Sequence, residues 1–109
     1  MTEALVLIDI QNDYFPGGAM ELAGSCRAAA KAGELLQAFR KKALPIIHIR
    51  HISTRPGSTF FLPDTAGTLI HDLVAPACGE PVFQKSNPNS FRETPLLDHL
   101  RSRDISQLV

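Results

Sequence analysis

The sequence predicts an α/β fold, a parallel sheet flanked by helices in three layers, and three observations lead there. Residues 4–8, Ala-Leu-Val-Leu-Ile, form an unbroken apolar run with two β-branched members, the pattern of a strand buried on both faces. A second strand-like segment rich in isoleucine, Ile46-Ile-His-Ile49 continuing to Ile52, follows about forty residues later. Between them lies a stretch of helical periodicity with short joins. A strand, a helix and a strand so connected make a βαβ unit, which requires parallel pairing and a right-handed crossover.

The first strand runs into Asp9 and the polar group Gln11-Asn12-Asp13, and Pro16-Gly17-Gly18 then breaks any regular element. Asp9 therefore stands at the carboxyl end of a buried strand. A helix is predicted over residues 26–42, with Ser25 as its N-cap. Ala28, Ala32, Leu35, Leu36 and Phe39 form its inward stripe. Arg40, Lys41 and Lys42 complement the dipole in the last turn, and Leu44-Pro45 ends the helix. Residues 53–67 are rich in Pro, Gly, Ser and Thr and read as a long loop, a place where function often resides.

Residues 69–74 suit a short helix or turn, and 81–85 a third strand ending at Lys85. Thr94 can cap a helix over 95–103, where proline stands at the first helical position and Leu96, Leu97 and Leu100 supply the stripe. A fourth strand begins at Ile105. A parallel sheet covered on both faces usually has more strands and helices than these. One domain over residues 1–109 is expected, truncated after the start of the fourth strand and so incomplete at its carboxyl end.

Eleven basic residues balance eleven acidic ones, so no net field gathers nucleic acid or an anionic membrane. No apolar run reaches the roughly 20 residues of a membrane helix, and no secretion signal is visible. Cys26 and Cys78 are far apart and fit reduced thiols in a cytoplasm. Cys26 falls near a helix start, yet is expected at the end of the sheet opposite Asp9, and Cys78 lies in the loop before strand three. Both are read as passive.

Ligands of open α/β sheets bind outside the carboxyl ends of strands. Asp9 and Lys85 sit at two such ends, and burial of either charge is costly unless the other is near. A simple ion pair or two exposed groups would equally explain them. His48 and His51 are three apart, so in a strand they point to opposite faces and cannot share a metal without a bend. His51, at the strand end, could line the crevice, and His71 could meet it only if the long loop folds back. His99 reads as a surface residue.

The wording around these residues adds a family. Leu7-Ile8-Asp9-Ile10-Gln11-Asn12-Asp13-Tyr14-Phe15 resembles the opening signature of the isochorismatase-like hydrolases. Gly79-Glu80-Pro81-Val82-Phe83-Gln84-Lys85, followed by Ser90-Phe91, resembles the same family's lysine motif. Residues 104–109 resemble the strand that leads to its cysteine. The resemblance implies a Rossmann-like α/β/α sheet and an Asp-Lys-Cys triad, with Asp9 matching the Asp, Lys85 the Lys, and the Cys falling beyond residue 109. It implies amide-type C–N hydrolysis of a small molecule, with Phe15, Gln11 and Phe91 at the substrate. Gln11 and Asn12 could instead orient Asp9 or the loop backbone.

Nicotinamidase-like relatives bind a metal here through an Asp and histidines. No matching aspartate stands beside His51, so neither a metal nor another cofactor is expected. Homo-oligomers are common in the family. Two alternatives stay open. True isochorismatases cleave a vinyl ether with a carboxylic acid; Asp9 would then have to carry a proton, which burial favours and a close Lys85 opposes. The chain could also be a catalytically inactive fragment or a binding protein.

Overall fold

The computed structural model describes residues 2–109. Four strands, β1 (Thr2–Ile8), β2 (Ile46–His51), β3 (Val82–Lys85) and β4 (Ile105–Leu108), form one parallel sheet in the order β3-β2-β1-β4. Helix α1 (Ser25–Lys41) crosses from β1 to β2, and α2 (Leu96–Ser102) crosses from β3 to β4. The alternating pleat of β1 explains its continuous apolar run. Leu5 and Leu7 pack with Leu36 and Phe39 of α1, whereas Ala4 packs on the other face with Ile47, Ile49, Leu96 and Leu100. Each face thus has its own helix, and the sheet is the middle of three layers. Among the described residues no helix is long and apolar enough to cross a membrane.

The order of strands has a functional consequence. From β1 the chain moves outward through β2 to β3, then returns to place β4 on the other side of β1. The direction reverses beside β1, and a crevice opens at the carboxyl end of the sheet where such a reversal occurs. Asp9 stands there.

Several local expectations are corrected. Gly24, not Ser25, is the N-cap of α1; its φ of 78° is left-handed, which glycine adopts without strain, and no side chain caps this end. The buried stripe of α1 runs through Ala29, Leu36 and Phe39, so Leu35 faces outward with 46% of its surface exposed and Ala28 is exposed at the cavity beside Asp9 rather than packed in the core. The stripe is centred a residue later than the leucine pair suggests, because one residue turns the helix by about 100°. At the other end the Leu44 N–H donates to the Phe39 carbonyl and the Ala43 N–H to the Arg40 carbonyl, a Schellman closure with Ala43 at φ 56°. In α2 Pro95, not Thr94, is the N-cap, so the proline stands just before the first helical residue; the Thr94 hydroxyl still accepts from the Leu96 N–H at 3.4 Å, and Leu97 is exposed while Leu96 and Leu100 are buried.

His48 and His51 do face opposite ways. His48 lies at the amino end of β2 beside Glu80, whose carboxylate takes two bonds from the Arg40 guanidinium (2.7 and 2.8 Å), one from the Ala77 N–H and one from His48 Nε2 at 2.9 Å. These donors, Arg40 first, hold the Glu80 carboxyl at about 2, against an opposing push from burial. A carboxylate depressed in the fold contributes stability that is present above its unfolded value and lost as pH falls through the folded one. Urea unfolding should therefore show a loss on the order of 3 kcal/mol between pH 5 and pH 2, and Glu80→Gln should remove most of that slope. An unchanged slope in the variant would assign the acid sensitivity elsewhere. His99 is not a simple surface residue: it is half-buried, edge-on to Phe83 with centroids 5.3 Å apart, and burial lowers its pKa.

Candidate active site

The carboxyl ends of three adjacent strands each contribute one polar side chain. Asp9 follows β1, His51 ends β2 and Lys85 ends β3. His51 and Lys85 are register partners, so their side chains rise from the same face of the sheet. The Lys85 stem is long enough to pass the end of β2 and reach Asp9. Its Nζ lies 3.3 Å from each Asp9 carboxylate oxygen and 2.9 Å from His51 Nδ1. The ammonium donates to Oδ2; Oδ1 is within ion-pair distance but off the hydrogen-bonding direction, and it is buried without a donor. The Lys85 side chain is 2% exposed and that of Asp9 28%, so the carboxylate opens toward the crevice and the ammonium lies behind it.

The backbone is bent to make this possible. Asp9 has φ 61°, a left-handed conformation that aspartate tolerates better than most residues but that still costs energy. Its N–H stays tied to the Ile49 carbonyl, and its carbonyl accepts from the Gln11 N–H. Phe61, in the long loop, is also left-handed at φ 54° and is 1% exposed. Asp13 holds it there. The buried Asp13 carboxylate accepts from the Phe61 N–H at 2.6 Å and from the Ala19 N–H at 3.1 Å. A Cβ at Gly67 would overlap that carboxylate, so only glycine fits where the loop passes it.

Gln11 is fully buried. Its Nε2 donates to the carbonyls of His51 (2.8 Å) and Thr68 (2.9 Å), and its Oε1 accepts from the His51 N–H (2.8 Å). The amide is thus engaged by backbone and clamps the end of β2; the placement matches orientation of the loop backbone rather than a wall open to substrate. Phe15 is buried, stacked on His71 with centroids 3.9 Å apart, and it lines an apolar cavity of about 140 Å³ together with Asp9, Tyr14 and Leu22. Phe91 is 44% exposed on the loop after β3 and lies outside that lining. A larger cleft of about 370 Å³ adjoins the pair through His51 and is walled by Ser53, Arg55, Phe61 and Ser86 among others. Asp9 does not line it; His51 is the residue that joins the cleft to the charged pair.

The long loop does fold back. His71 N–H donates to the Ile10 carbonyl, and Gln11 bridges to Ile70. Yet His71 meets Phe15 and not His51, and its Nδ1 accepts from the Leu73 N–H. No group of three or more His, Cys, Asp or Glu able to hold a metal occurs among the described residues.

The placement of Cys26 needs correction: α1 runs antiparallel to the strands, so its N-terminus lies at the Asp9 end, where Ser25 and Ala28 share the small cavity with Asp9. Cys26 itself is exposed and outside that lining, and Cys78 is exposed beside the amino end of β3. Sequence reasoning assigned no role to Asp13, Tyr14 or Phe61. The adjacent Asn12-Asp13 before a Pro-Gly-Gly break was the available signal for Asp13. Tyr14 packs on Phe61 at 4.7 Å, and burial first, then the Asp9 charge, raise its pKa.

Comparison with known proteins agrees with this architecture. Residues 3–109 match the isochorismatase domain model. YddQ, an isochorismatase family protein of Bacillus subtilis (strain 168), is 44% identical over 109 residues, covering all of this chain and 61% of YddQ. The crystal structure of an isochorismatase hydrolase from Oleispira antarctica superposes with a TM-score of 0.91 at 44% identity, over 98% of this chain and 58% of that one. N-carbamoylsarcosine amidase from Thermoplasma acidophilum shares the fold at TM-score 0.89 and 23% identity, over 99% of this chain and 65% of that one. The chain belongs to the isochorismatase family. It spans about three fifths of the length of these relatives.

Proposed function

We propose that this chain supplies the Asp and Lys of a hydrolase that cleaves an amide-type C–N bond in a small molecule through a cysteine nucleophile. The observation that carries the reading is the buried ammonium 3.3 Å from both oxygens of a carboxylate that keeps one buried acceptor free. A thiol near its ordinary pKa of ~8.5 is only a few per cent thiolate at neutral pH. Asp9 takes the thiol proton at its free oxygen, and the Lys85 charge stabilises the thiolate. The sulfur adds to the carbonyl carbon, the C–N bond breaks, and the amine leaves with the proton held by Asp9. Water then gives a proton to Asp9 and its hydroxyl to the thioester, the C–S bond breaks, and the acid departs.

The cysteine belongs to sequence beyond residue 109, as the front part of one longer domain would require. The register is compatible with this: the Val6 N–H donates to the Val109 carbonyl at 2.9 Å, so a continuation of β4 would run toward the level of Asp9 on the neighbouring strand. Vinyl-ether cleavage, in which Asp9 would donate a proton to the alkene without any thiol, is the alternative chemistry. A cytoplasmic homo-oligomer is part of the proposal; sedimentation of the full-length protein tests its assembly.

The chemistry is tested by ammonia release from a panel of small primary amides and N-carbamoyl compounds, with and without prior iodoacetamide. Release that alkylation abolishes is the expected result. Turnover of isochorismate that survives alkylation would replace this reading with the vinyl-ether one. Binding without turnover of any of them would leave a binding protein.

A further inference from the structure

An ammonium has donors and no acceptor, so the 2.9 Å contact with Lys85 requires His51 Nδ1 to accept. The imidazole is then neutral, with its proton on Nε2. Nε2 is not among the buried polar atoms that lack a partner, and the ring lines the 370 Å³ cleft, so this N–H is open to the cleft. The residue is held at its backbone and at its ring. Gln11 clamps the His51 backbone at both N–H and carbonyl, and the Phe61 ring packs at 5.8 Å. A donor fixed by such supports loses little freedom when a ligand arrives.

We propose that His51 has two tasks in this site: its Nδ1 holds the Lys85 ammonium against Asp9, and its Nε2–H orients a substrate in the cleft through an acceptor oxygen or nitrogen. Its role in turnover rests on the hydrolase reading, whereas its tautomer and contact with Lys85 do not. Burial first, then the Lys85 charge, lower the His51 pKa, and the Asp9 charge raises it. Those two groups face it from β3 and β1, and Arg55 faces it across the cleft from the long loop.

Two substitutions in the full-length protein separate the tasks, because asparagine places a polar atom near the Nδ1 position and glutamine near the Nε2 position. His51→Asn should raise KM about tenfold, the loss of one hydrogen bond, and keep the wild-type pH profile. His51→Gln should hold KM within about twofold, lower kcat about tenfold and displace the pH profile. Identical behaviour of the two variants, or wild-type kinetics in both, would overturn the proposal. An imidazole ¹⁵N titration of the wild type provides a readout that needs no turnover. It should show the Nε2–H tautomer and a midpoint below the ordinary histidine value, moved up by Lys85→Met and down by Asp9→Asn. A proton on Nδ1, or a midpoint indifferent to Lys85→Met, would refute the Lys85 contact even in a protein that hydrolyses no amide; absence of amide hydrolysis with the expected titration would instead fail the hydrolase reading alone.

Discussion

Asp9→Asn should lower kcat of the full-length enzyme by about 10²–10⁴-fold, the usual contribution of a positioned proton acceptor. The amide is nearly isosteric and can still meet Lys85 through its oxygen, but it cannot take a thiol proton. The substitution also leaves an ammonium that is 2% exposed without its counter-charge. Removal of one partner from a buried pair costs about 3–5 kcal/mol, and the 28% exposure of Asp9 moves this case toward the lower end. Lys85→Met in the Asp9→Asn background removes the unpaired charge, so thermal stability should recover while activity stays lost. Stability and kcat should thus part company across the two variants. If activity returned with stability, Asp9 would be a structural ion-pair partner and not the base.

Gly67→Ala should destabilise the fold by roughly 2–4 kcal/mol, combining a steric overlap with disruption of charge-assisted hydrogen bonds. The added methyl would occupy the space of the Asp13 carboxylate. That carboxylate is the anchor of Phe61, and Phe61 in turn holds the Ser53 N–H through its carbonyl at 2.7 Å. Displacing it would release the loop that walls the cleft. Asp13→Asn, which keeps the shape but turns an N–H donor toward one of two backbone donors, should cost about 1–3 kcal/mol. Chemical denaturation measures both. A change below about 0.5 kcal/mol in each would mean that the loop is held elsewhere.

The parallel sheet was legible because the apolar run 4–8 and the isoleucines of 46–49 must be covered on two faces, and the helical stretch between them with short joins makes a βαβ unit that does so. The carboxyl-end positions of Asp9 and Lys85 followed from the strand ends. Their proximity did not. It depends on β2 lying between β1 and β3 with His51 and Lys85 in register, and register is a property of pairing rather than of either segment. For Gln11 the resemblance implied a substrate contact and the residues allowed orientation of Asp9 or the loop backbone; its partners are backbone groups 40 and 57 residues away, which no local window reveals. The Asp13–Phe61 bond spans 48 residues and is equally invisible in a local window. Cys26 was misplaced for a simpler reason. The helix after β1 must start at the carboxyl end of the sheet in any βαβ unit, so that position follows from topology once the crossover is accepted.

If the Asp9–Lys85 pair activates a cysteine, that cysteine becomes acylated during turnover. Intact-mass spectrometry of the full-length protein, quenched during turnover of a slow amide or after addition of a nitrile, tests it most directly. The expected result is a single covalent adduct, mapped by peptide analysis to a cysteine beyond residue 109, absent in Asp9→Asn and Lys85→Met. Turnover without any adduct, or an adduct on Cys26 or Cys78, would contradict it.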